Sequence, residues 1–366
     1  MTGLQRRLAD KRVVICAGPG GVGKTTVSAA VALGLASAGR RVAVVTIDPA
    51  RRLAEALGLD ELGNRPQPVD STRLAGAGLE LRGELSAMML DVKRTFDELI
   101  GRLAPDPRTA EELLANPVYQ HLSTAIAGSQ EYTAMAKLSE LVNESDYETI
   151  VLDTPPSRSA VDFLQAPERL IEFLEGRAVS ALLRPSGRAA RYAGVVAAAL
   201  RRVTGVGLLD ELTAFFRLLG DLLDGFRARA TDVQRLLRES STGFLIVTSG
   251  EAAAVDEAIY FAGELDRTGL HRCGVILNRV QPLDPGERDV EETAQRLAGR
   301  LDPRLARKVA RTHSQLQLLA HRDQASMVRL SGALGNPRPF CLADREAGLQ
   351  DARGLFELQR ELWDAG

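Results

Sequence analysis

Cysteine is scarce in this chain, and its scarcity excludes several classes of protein. The 366 residues include only three cysteines, Cys16, Cys273 and Cys341, which lie far apart in the sequence. Such a set cannot form the disulfide framework of a small secreted protein, the Cys-x-x-Cys pairs of a structural zinc site or the ligands of an iron–sulfur cluster. Because each cysteine lies in an apolar run, we expect all three to be packed in buried strands in a reducing cytoplasm.

Long apolar runs and metal-like histidine spacings are also lacking. No run of about 18 or more apolar residues is free of charge, so no membrane-spanning helix is predicted. The polar start MTGLQRRLADKR predicts no secretory signal. The four histidines are not spaced as metal ligands. A formal net charge of -2 gives no reason to expect nucleic acid as a partner. We therefore expect a cytoplasmic protein whose link with a membrane, if it has one, runs through a partner.

The chain does have a regular alternation of apolar strands and helices. Residues 13–48 are typical of a strand, a glycine-rich turn, a helix and a second strand. Strands that are apolar throughout indicate a parallel sheet covered on both faces. The pattern predicts the α/β class, with a doubly wound, mostly parallel sheet. Further strands are predicted at TIVLDT (149–154), GFLIVTS (243–249), CGVILNRV (273–280) and PFCLA (339–343).

The stretch GPGGVGKT matches the phosphate-loop pattern of glycine, four residues, glycine, lysine and threonine. It follows a predicted strand and begins a predicted helix, which is the context that the motif requires. Glycines let successive backbone amides face a phosphate, and the helix N-terminus adds partial positive charge. We expect Lys24 to reach the β and γ phosphates of ATP, Thr25 to bind Mg²⁺ and Thr26 to contact the α phosphate. The predicted nucleotide-binding residues of the loop are Gly20, Gly21, Val22, Gly23, Lys24, Thr25 and Thr26.

Two aspartates end apolar strands and are the predicted catalytic and metal-binding acids. Asp48 follows VVTI, where a parallel sheet places its ligands, and a carboxylate there can orient an attacking water or reach the metal shell. Asp153 ends TIVLD, and a strand-terminal acid of this kind holds Mg²⁺ directly or through water. The segment that follows, TPPSRS, is predicted to be irregular, which suits a segment that responds to the γ-phosphate.

Two long segments interrupt the alternation and are predicted to be helical. The first includes ELSAMMLDVKRTFDELIGRL, whose apolar residues recur at helical spacing, and the second is rich in leucine, phenylalanine and alanine. Both are too long for connecting loops. The apolar run 215–226 is either a buried core helix or part of a groove for an apolar client. The predicted division is a nucleotide-binding domain (10–80, 143–167 and 241–366) and a helical subdomain (81–142 and 168–240).

The three motifs, their order and the helical insertions resemble the ArsA family, which contains arsenite-pump ATPases and the ATPases that target tail-anchored membrane proteins. The resemblance covers about residues 10–355 and is carried by GPGGVGKT, TIDPARRL and DTPPSRSAVDFLQAPERL. It implies an ATPase that works as a dimer, either with itself or with a paralogous ATPase. It also implies that the helical subdomain binds an apolar protein client.

The resemblance further implies roles for individual residues. Asp48 corresponds to the aspartate that positions the hydrolytic water, with Lys24 as the second catalytic residue, and Asp153 opens the second switch segment. Asn278, in VILNRVQP, corresponds to the asparagine that reads the adenine edge. Glu251, in TSGEAAAVDEA, corresponds to a glutamate that contacts nucleotide across the dimer, and FCLADREAG corresponds to the loop that packs beside adenine.

The chain departs from the family pattern at Pro19 and in its lack of clustered thiols. Many relatives have a lysine in place of Pro19, and this lysine reaches the partner's nucleotide across the dimer. By analogy with arginine fingers, losing such a cation costs roughly 10³ to 10⁵ in rate. We therefore expect slow hydrolysis unless Arg51, Arg158 or a partner subunit supplies the charge. No cysteine occurs between Cys16 and Cys273, which disfavours an arsenite pump, because arsenite needs clustered soft thiolates.

The sequence predicts a cytoplasmic, Mg²⁺-dependent ATPase that acts as a dimeric nucleotide switch and binds or releases an apolar client. Two alternatives stay open. A spatial organiser like MinD or a partition ATPase needs a membrane-binding C-terminal helix or a basic surface for DNA, and the mixed C-terminus LFELQRELWDAG argues against the membrane version. A metabolic enzyme that phosphorylates or amidates a small molecule needs a polar pocket near the γ-phosphate, whereas the inserted residues are mostly apolar.

Overall fold

An eight-stranded sheet lies at the centre of the chain in the computed structural model. The structure describes residues 3–47, 52–76, 78, 80–122, 129–154, 164–166, 169, 172, 206–284, 286, 289–335, 338–345 and 352–364. The strands are β1 (Val13–Ala17), β2 (Arg41–Thr46), β3 (Gln67–Pro68), β4 (Glu84–Met89), β5 (Thr149–Asp153), β6 (Thr242–Ser249), β7 (Arg272–Val280) and β8 (Phe340–Ala343). Their order across the sheet is β3-β4-β2-β5-β1-β6-β7-β8.

The sheet is parallel apart from its edge strand β3, which pairs antiparallel with β4. Every residue of β1 and β5 is buried, because both strands lie in the middle of the sheet and have helices on both faces. This explains why their sequences are apolar throughout rather than alternately. The predicted doubly wound α/β class is therefore confirmed, as are the strands predicted at the positions of β1, β2, β5, β6, β7 and β8.

Helices cover both faces of the sheet. One face packs mainly against α2, α3 and α14, and the other against α8, α10, α11 and the end of α13. The helices in the described part of the chain are α1 (Gly3–Leu8), α2 (Lys24–Ser37), α3 (Arg52–Leu57), α4 (Ser71–Gly76), α5 (Val92–Leu103), α6 (Pro107–Ala115), α7 (Pro117–Leu122), α8 (Ser129–Glu144), α9 (Val206–Asp221), α10 (Leu223–Arg238), α11 (Ala252–Thr268), α12 (Val290–Ala298), α13 (Pro303–Ala333) and α14 (Ala352–Asp364).

The helical prediction for ELSAMMLDVKRTFDELIGRL is wrong for its first six residues, which form β4. The strand pairs in parallel with β2, from Arg41 opposite Glu84 to Thr46 opposite Met89. A short apolar run satisfies both periods, and pairing with a distant strand decides between them. The helix begins only after Asp91, whose side chain accepts a hydrogen bond from the backbone of Arg94. These six residues therefore belong to the sheet, and the division into two domains stays a prediction.

A separate apolar core joins the helices of the predicted helical subdomain. It contains stacked or tilted aromatic rings from α5, α8 and α10, whose centroids lie 5.9 Å apart for Phe96 with Phe226 and for Tyr132 with Phe226. Within the apolar run 215–226, Phe215, Leu218, Leu219, Leu222 and Phe226 are all buried in this core. The core-helix interpretation is confirmed for these five residues, which leaves them no part in a groove. No helix in the described ranges is long and apolar enough to cross a membrane.

The C-terminal helix α14 is fixed to the body of the protein by its apolar face. Leu355, Leu358, Leu362 and Trp363 are buried in the core that α2 shares with the sheet. The ring of Trp363 lies directly over Gly34, where a Cβ atom would come within 2.5 Å of the ring. Only glycine lets α14 approach α2 this closely.

Removing this contact is expected to destabilise the whole domain. We expect Trp363→Ala to lower the free energy of unfolding by about 3–5 kcal/mol, because a large buried ring is lost and a cavity remains. Trp363→Phe is the matched variant and is expected to cost less, since no described residue accepts a hydrogen bond from the indole Nε1. Denaturant unfolding followed by circular dichroism measures both. Leu318→Ala removes a side chain that is 69% exposed and is expected to change stability by less than about 0.5 kcal/mol. Equal midpoints for Trp363→Ala and Leu318→Ala would contradict the docking of α14.

Candidate functional site

The phosphate loop connects β1 to α2 at the carboxyl end of the central strand. Gly23 is the N-cap of α2 and has a φ of 91°, which glycine adopts without steric cost. Gly18 lies so close to β6 that a Cβ atom there would come within 2.0 Å of the Val247 carbonyl oxygen. Gly20 and Gly21 are exposed, Val22 is buried and Thr26 is partly buried. The glycines thus expose backbone amides at a helix N-terminus, which is the arrangement that binds phosphate.

Lys24 lies buried beneath the loop that precedes it. Lys24 is the first residue of α2 and is only 6% exposed. The ammonium Nζ donates hydrogen bonds to the carbonyl oxygens of Gly18 at 2.8 Å and Pro19 at 2.9 Å. A desolvated cation is thereby held against the backbone of the phosphate loop.

Asp153 brings three elements together at the bottom of the site. It is the last residue of β5 and is 0% exposed. Its Oδ2 accepts hydrogen bonds from the Thr25 hydroxyl at 2.7 Å and from the Thr46 hydroxyl at 2.8 Å. Ser28 lies 3.5 Å from Oδ1 through its own hydroxyl. The two residues predicted to hold Mg²⁺, Thr25 and Asp153, are thus in direct contact.

Thr46 is a site residue that the sequence analysis missed. It ends β2 and lies opposite Asp153 in the register of β2 with β5. The available signal was a polar residue at the last position of the apolar strand RVAVVT. The predicted water-orienting Asp48, together with Arg51 and Arg158, lies outside the described residues.

Asn278 lies against the phosphate loop from the side of β7. It is 4% exposed, and its Nδ2 donates to the carbonyl oxygen of Val22 at 2.8 Å. Its Oδ1 accepts from the backbone amide of Arg279, which has a φ of 59°. A Cβ at Gly23 would come within 2.4 Å of the Asn278 Nδ2 atom. The asparagine, which was predicted to read the adenine edge, therefore packs on the phosphate loop, with its side-chain amide engaged by the protein backbone.

Glu251 and Pro19 occupy the two positions where the family pattern acts across a dimer. Glu251 is exposed at the start of α11 and makes no capping hydrogen bond with its side chain. Pro19 is buried and has no charge to present to a partner. Of the two residues, only the glutamate is exposed.

The three cysteines share one property, a thiol whose pKa is raised by burial. Burial raises the pKa of the Cys16 thiol to about 12, and the nearby Asp153 charge adds to the effect. Burial likewise raises the pKa of Cys273 to about 11, and it raises the pKa of Cys341. No group of three or more histidine, cysteine, aspartate or glutamate side chains among the described residues is placed to hold a metal ion.

Comparison with known proteins agrees with the fold and the site. The family model of anion-transporting ATPases, ArsA_ATPase, matches residues 11–300, and the chain belongs to this family. It is 26% identical to ATPase GET3 of Malassezia globosa over 293 residues, which cover 77% of each chain. It is 28% identical to ATPase GET3 of Blastomyces gilchristii over 289 residues, covering 78% of this chain and 77% of the relative.

A bacterial relative matches over a similar stretch. An arsenical pump-driving ATPase of Aquifex aeolicus is 25% identical over 284 residues, which cover 74% of this chain and 64% of the relative. The parallel sheet, the phosphate loop and the family membership together identify the chain as a P-loop ATP hydrolase. The resemblance drawn from the three sequence motifs is thus confirmed.

The raised thiol pKa values predict how the cysteines react. In the folded protein at about pH 8, we expect a maleimide to modify Cys341 alone, because this cysteine is partly exposed while Cys16 and Cys273 are buried and protonated. Raising the pH should speed this reaction, since more of the thiol becomes thiolate. Peptide mass spectrometry identifies the modified residue.

The matched control is Cys341→Ala, which should take up maleimide only when the protein unfolds. In denaturant, all three cysteines of the unsubstituted chain should react. Rapid modification of Cys16 in the folded protein would contradict its position beneath the phosphate loop.

Proposed function

We propose that this ATPase is a Mg²⁺-dependent nucleotide switch that works as a dimer and couples ATP binding and hydrolysis to an apolar protein client. The observation that carries the proposal is the convergence of Lys24, Thr25 and Asp153 around one glycine loop at the carboxyl end of the sheet. In open α/β sheets, ligands bind at this edge. The loop amides and Lys24 would hold the phosphates of ATP.

The donor set beside the loop fits Mg²⁺. The Thr25 hydroxyl donates a hydrogen bond to Asp153. The lone pairs of the hydroxyl oxygen therefore stay available to coordinate a cation. Asp153 would hold the ion directly or through water. When bound, Mg²⁺ neutralises charge on the phosphates. We assign Asp48 to the orientation of the attacking water.

A second group of residues would contact the adenine base and the nucleotide bound by the partner subunit. Asn278 lies beside the phosphate loop, to which it donates a hydrogen bond at Val22. We assign it to the adenine edge of the bound nucleotide. Glu251 is exposed at a helix start, and we assign it to the nucleotide of the opposite subunit. That subunit is a second copy or a paralogous ATPase.

Two helices connect the nucleotide site to the helical layer, which consists of the helices α5 to α10 that share the separate apolar core. Helix α8 contributes Leu138 and Leu141 to the core beneath β5, and Tyr132 and Ala136 to the core of the helical layer. Helix α10 is shared in the same way. A movement of β5, which carries Asp153, would therefore change the side-chain packing in both cores, because packed cores do not deform continuously. This layer is the proposed client-binding part, in a protein that we expect to be cytoplasmic.

None of the three alternative functions gains support from the described residues. An organiser like MinD would need a free C-terminal helix, whereas the apolar face of α14 is buried against α2. A small-molecule kinase would need a polar pocket beside the phosphate loop, and the described inserted helices present their own apolar core instead. An arsenite pump would need clustered, reactive thiols, which the buried cysteines do not supply.

Removal of the buried ammonium tests nucleotide binding directly. We expect Lys24→Ala to weaken ATP binding by at least about 30-fold, because charge-assisted hydrogen bonds to phosphate are lost. Titration calorimetry with Mg²⁺ measures the affinity. Thr25→Ala should weaken binding in Mg²⁺ but leave binding in excess chelator unchanged. Lys137→Ala is the matched control, since Lys137 is equally buried but pairs with Glu140 on α8. Absence of ATP binding by the unsubstituted protein at near-millimolar ATP and Mg²⁺ would overturn the proposal.

Restoring the family's lysine tests the dimeric site. We expect Pro19→Lys to raise the hydrolysis rate by about tenfold or more at protein concentrations that favour the dimer, because a cation again reaches the partner's phosphates. The carbonyl oxygen that accepts from Lys24 is kept in this variant. Pro19→Ala is the matched control and should hydrolyse ATP at the original rate. The gain should vanish on dilution, and equal rates for both variants at every concentration would exclude a charge acting across the dimer.

A further inference from the structure

One buried carboxylate on α13 ties together the strand ends on the base side of the site. Asp323 is 0% exposed, although it is charged. Its Oδ2 accepts a hydrogen bond at 2.9 Å from the backbone amide of Gln281, the residue that follows β7. The side-chain amide of Gln281 donates in turn to Asp344, just after β8, and the Asp344 backbone amide donates to the Val280 carbonyl at 2.9 Å. The ends of β7 and β8 are thus fixed to each other and to α13.

The same carboxylate lies against the end of β6. A Cβ atom on Gly250, the residue after this strand, would come within 1.8 Å of Asp323 Oδ1. Any other residue at this position would push the carboxylate away. One turn further along α13, the Ser326 hydroxyl donates to the Gly250 carbonyl at 2.9 Å. Gly250 immediately precedes Glu251, so α13 also fixes the backbone from which the glutamate projects.

The charge on Asp323 is balanced locally. Arg322 donates to Oδ1 from its Nε at 3.0 Å and from its Nη2 at 2.8 Å. The Arg322 side chain is 41% exposed, whereas that of Asp323 is fully buried. Both carboxylate oxygens are therefore engaged, one by a guanidinium and the other by a backbone amide, as a buried charge requires. None of these contacts involves the phosphate loop.

We propose that Asp323 is a positioning residue for the base of the nucleotide. It holds the backbone at Gln281, three residues after Asn278, and packs against Gly250, the residue before Glu251. Asn278 and Glu251 are the residues to which we assigned the base and the partner's nucleotide, so this inference rests on the proposed function. The phosphate cradle has its own supports in Lys24 and in Asp153 with the hydroxyls of Thr25 and Thr46, and it meets Asn278 only at the Val22 carbonyl among the described contacts. Asp323 therefore acts on the recognition of adenosine and not on the recognition of the phosphates.

Recognition of the base can be separated from recognition of the phosphates by comparing two triphosphate ligands, only one of which carries adenosine. We expect Asp323→Ala to raise the dissociation constant for Mg²⁺–ATP by about tenfold, because the Gln281 amide after β7 loses its acceptor and Gly250 after β6 loses the side chain that packs against it. The dissociation constant for Mg²⁺–tripolyphosphate, which has no base, should change by less than about twofold. The KM for ATP should rise in parallel, while kcat at saturating ATP should stay within about twofold. Calorimetry and steady-state hydrolysis give these values, and tripolyphosphate binding also reports that the variant is folded.

Conservative variants sharpen the test. Asp323→Asn keeps an acceptor for the Gln281 amide and should restore most of the ATP affinity. Gly250→Ala, which crowds the carboxylate, should reproduce the selective loss. Asp302→Asn is the matched control, because Asp302 caps the same helix at its exposed N-terminus and should change neither affinity.

The outcomes distinguish this inference from the proposed function. Loss of ATP and tripolyphosphate affinity by the same factor in Asp323→Ala would overturn the positioning role while leaving the nucleotide switch intact. Unchanged ATP affinity would overturn it as well. Failure of the unsubstituted chain to bind ATP would instead overturn the proposed function itself.

Discussion

Asp153 accepts two threonine hydrogen bonds at the centre of the sheet, and the geometry of the whole site depends on this buried carboxylate. A charge that is 0% exposed is unfavourable unless its oxygens are engaged. Thr25 supplies one hydrogen bond from the start of α2, and Thr46 supplies the other from the end of β2. The phosphate loop can therefore not move independently of β2 and β5. The same bonds orient the Thr25 oxygen, so the atoms that stabilise this part of the fold are the atoms that would meet the metal.

The phosphate loop keeps its form through contacts within the protein. Lys24 lies beneath the loop and binds two of its carbonyl oxygens, and Asn278 holds the loop at Val22 from the opposite side. A loop held in this way loses little conformational entropy when a phosphate binds, which favours affinity. Pro19 also restricts the loop, because its ring fixes the backbone angle φ at that position. The phosphate cradle of this chain is thus held by contacts on several of its sides.

The sequence predicts well what depends on local pattern. Strands β1 and β5 are apolar because they are buried on both faces, and the phosphate loop is recognisable because its glycines, lysine and threonine must follow one another directly. It predicts poorly what depends on distant partners. The six residues of β4 satisfied a helical period, and only pairing with β2 makes them a strand. Thr46 and Asp323 lie 107 and 42 residues from the groups they bind, so local pattern could not identify their partners, although Thr46 stands out as a polar residue at the end of an apolar strand.

Helices α8 and α10 determine how the site can communicate with the rest of the molecule. Each contributes side chains to the core under the sheet and to the aromatic core of the helical layer. The Tyr132 hydroxyl of α8 donates to the Phe226 carbonyl of α10 at 3.2 Å, so the two helices are also joined to each other. A shift of one helix relative to the sheet would therefore open gaps in one core or crowd the other, and both changes are costly. In the part of the chain that the structure describes, the packing of these two helices therefore links β5 to the helical layer.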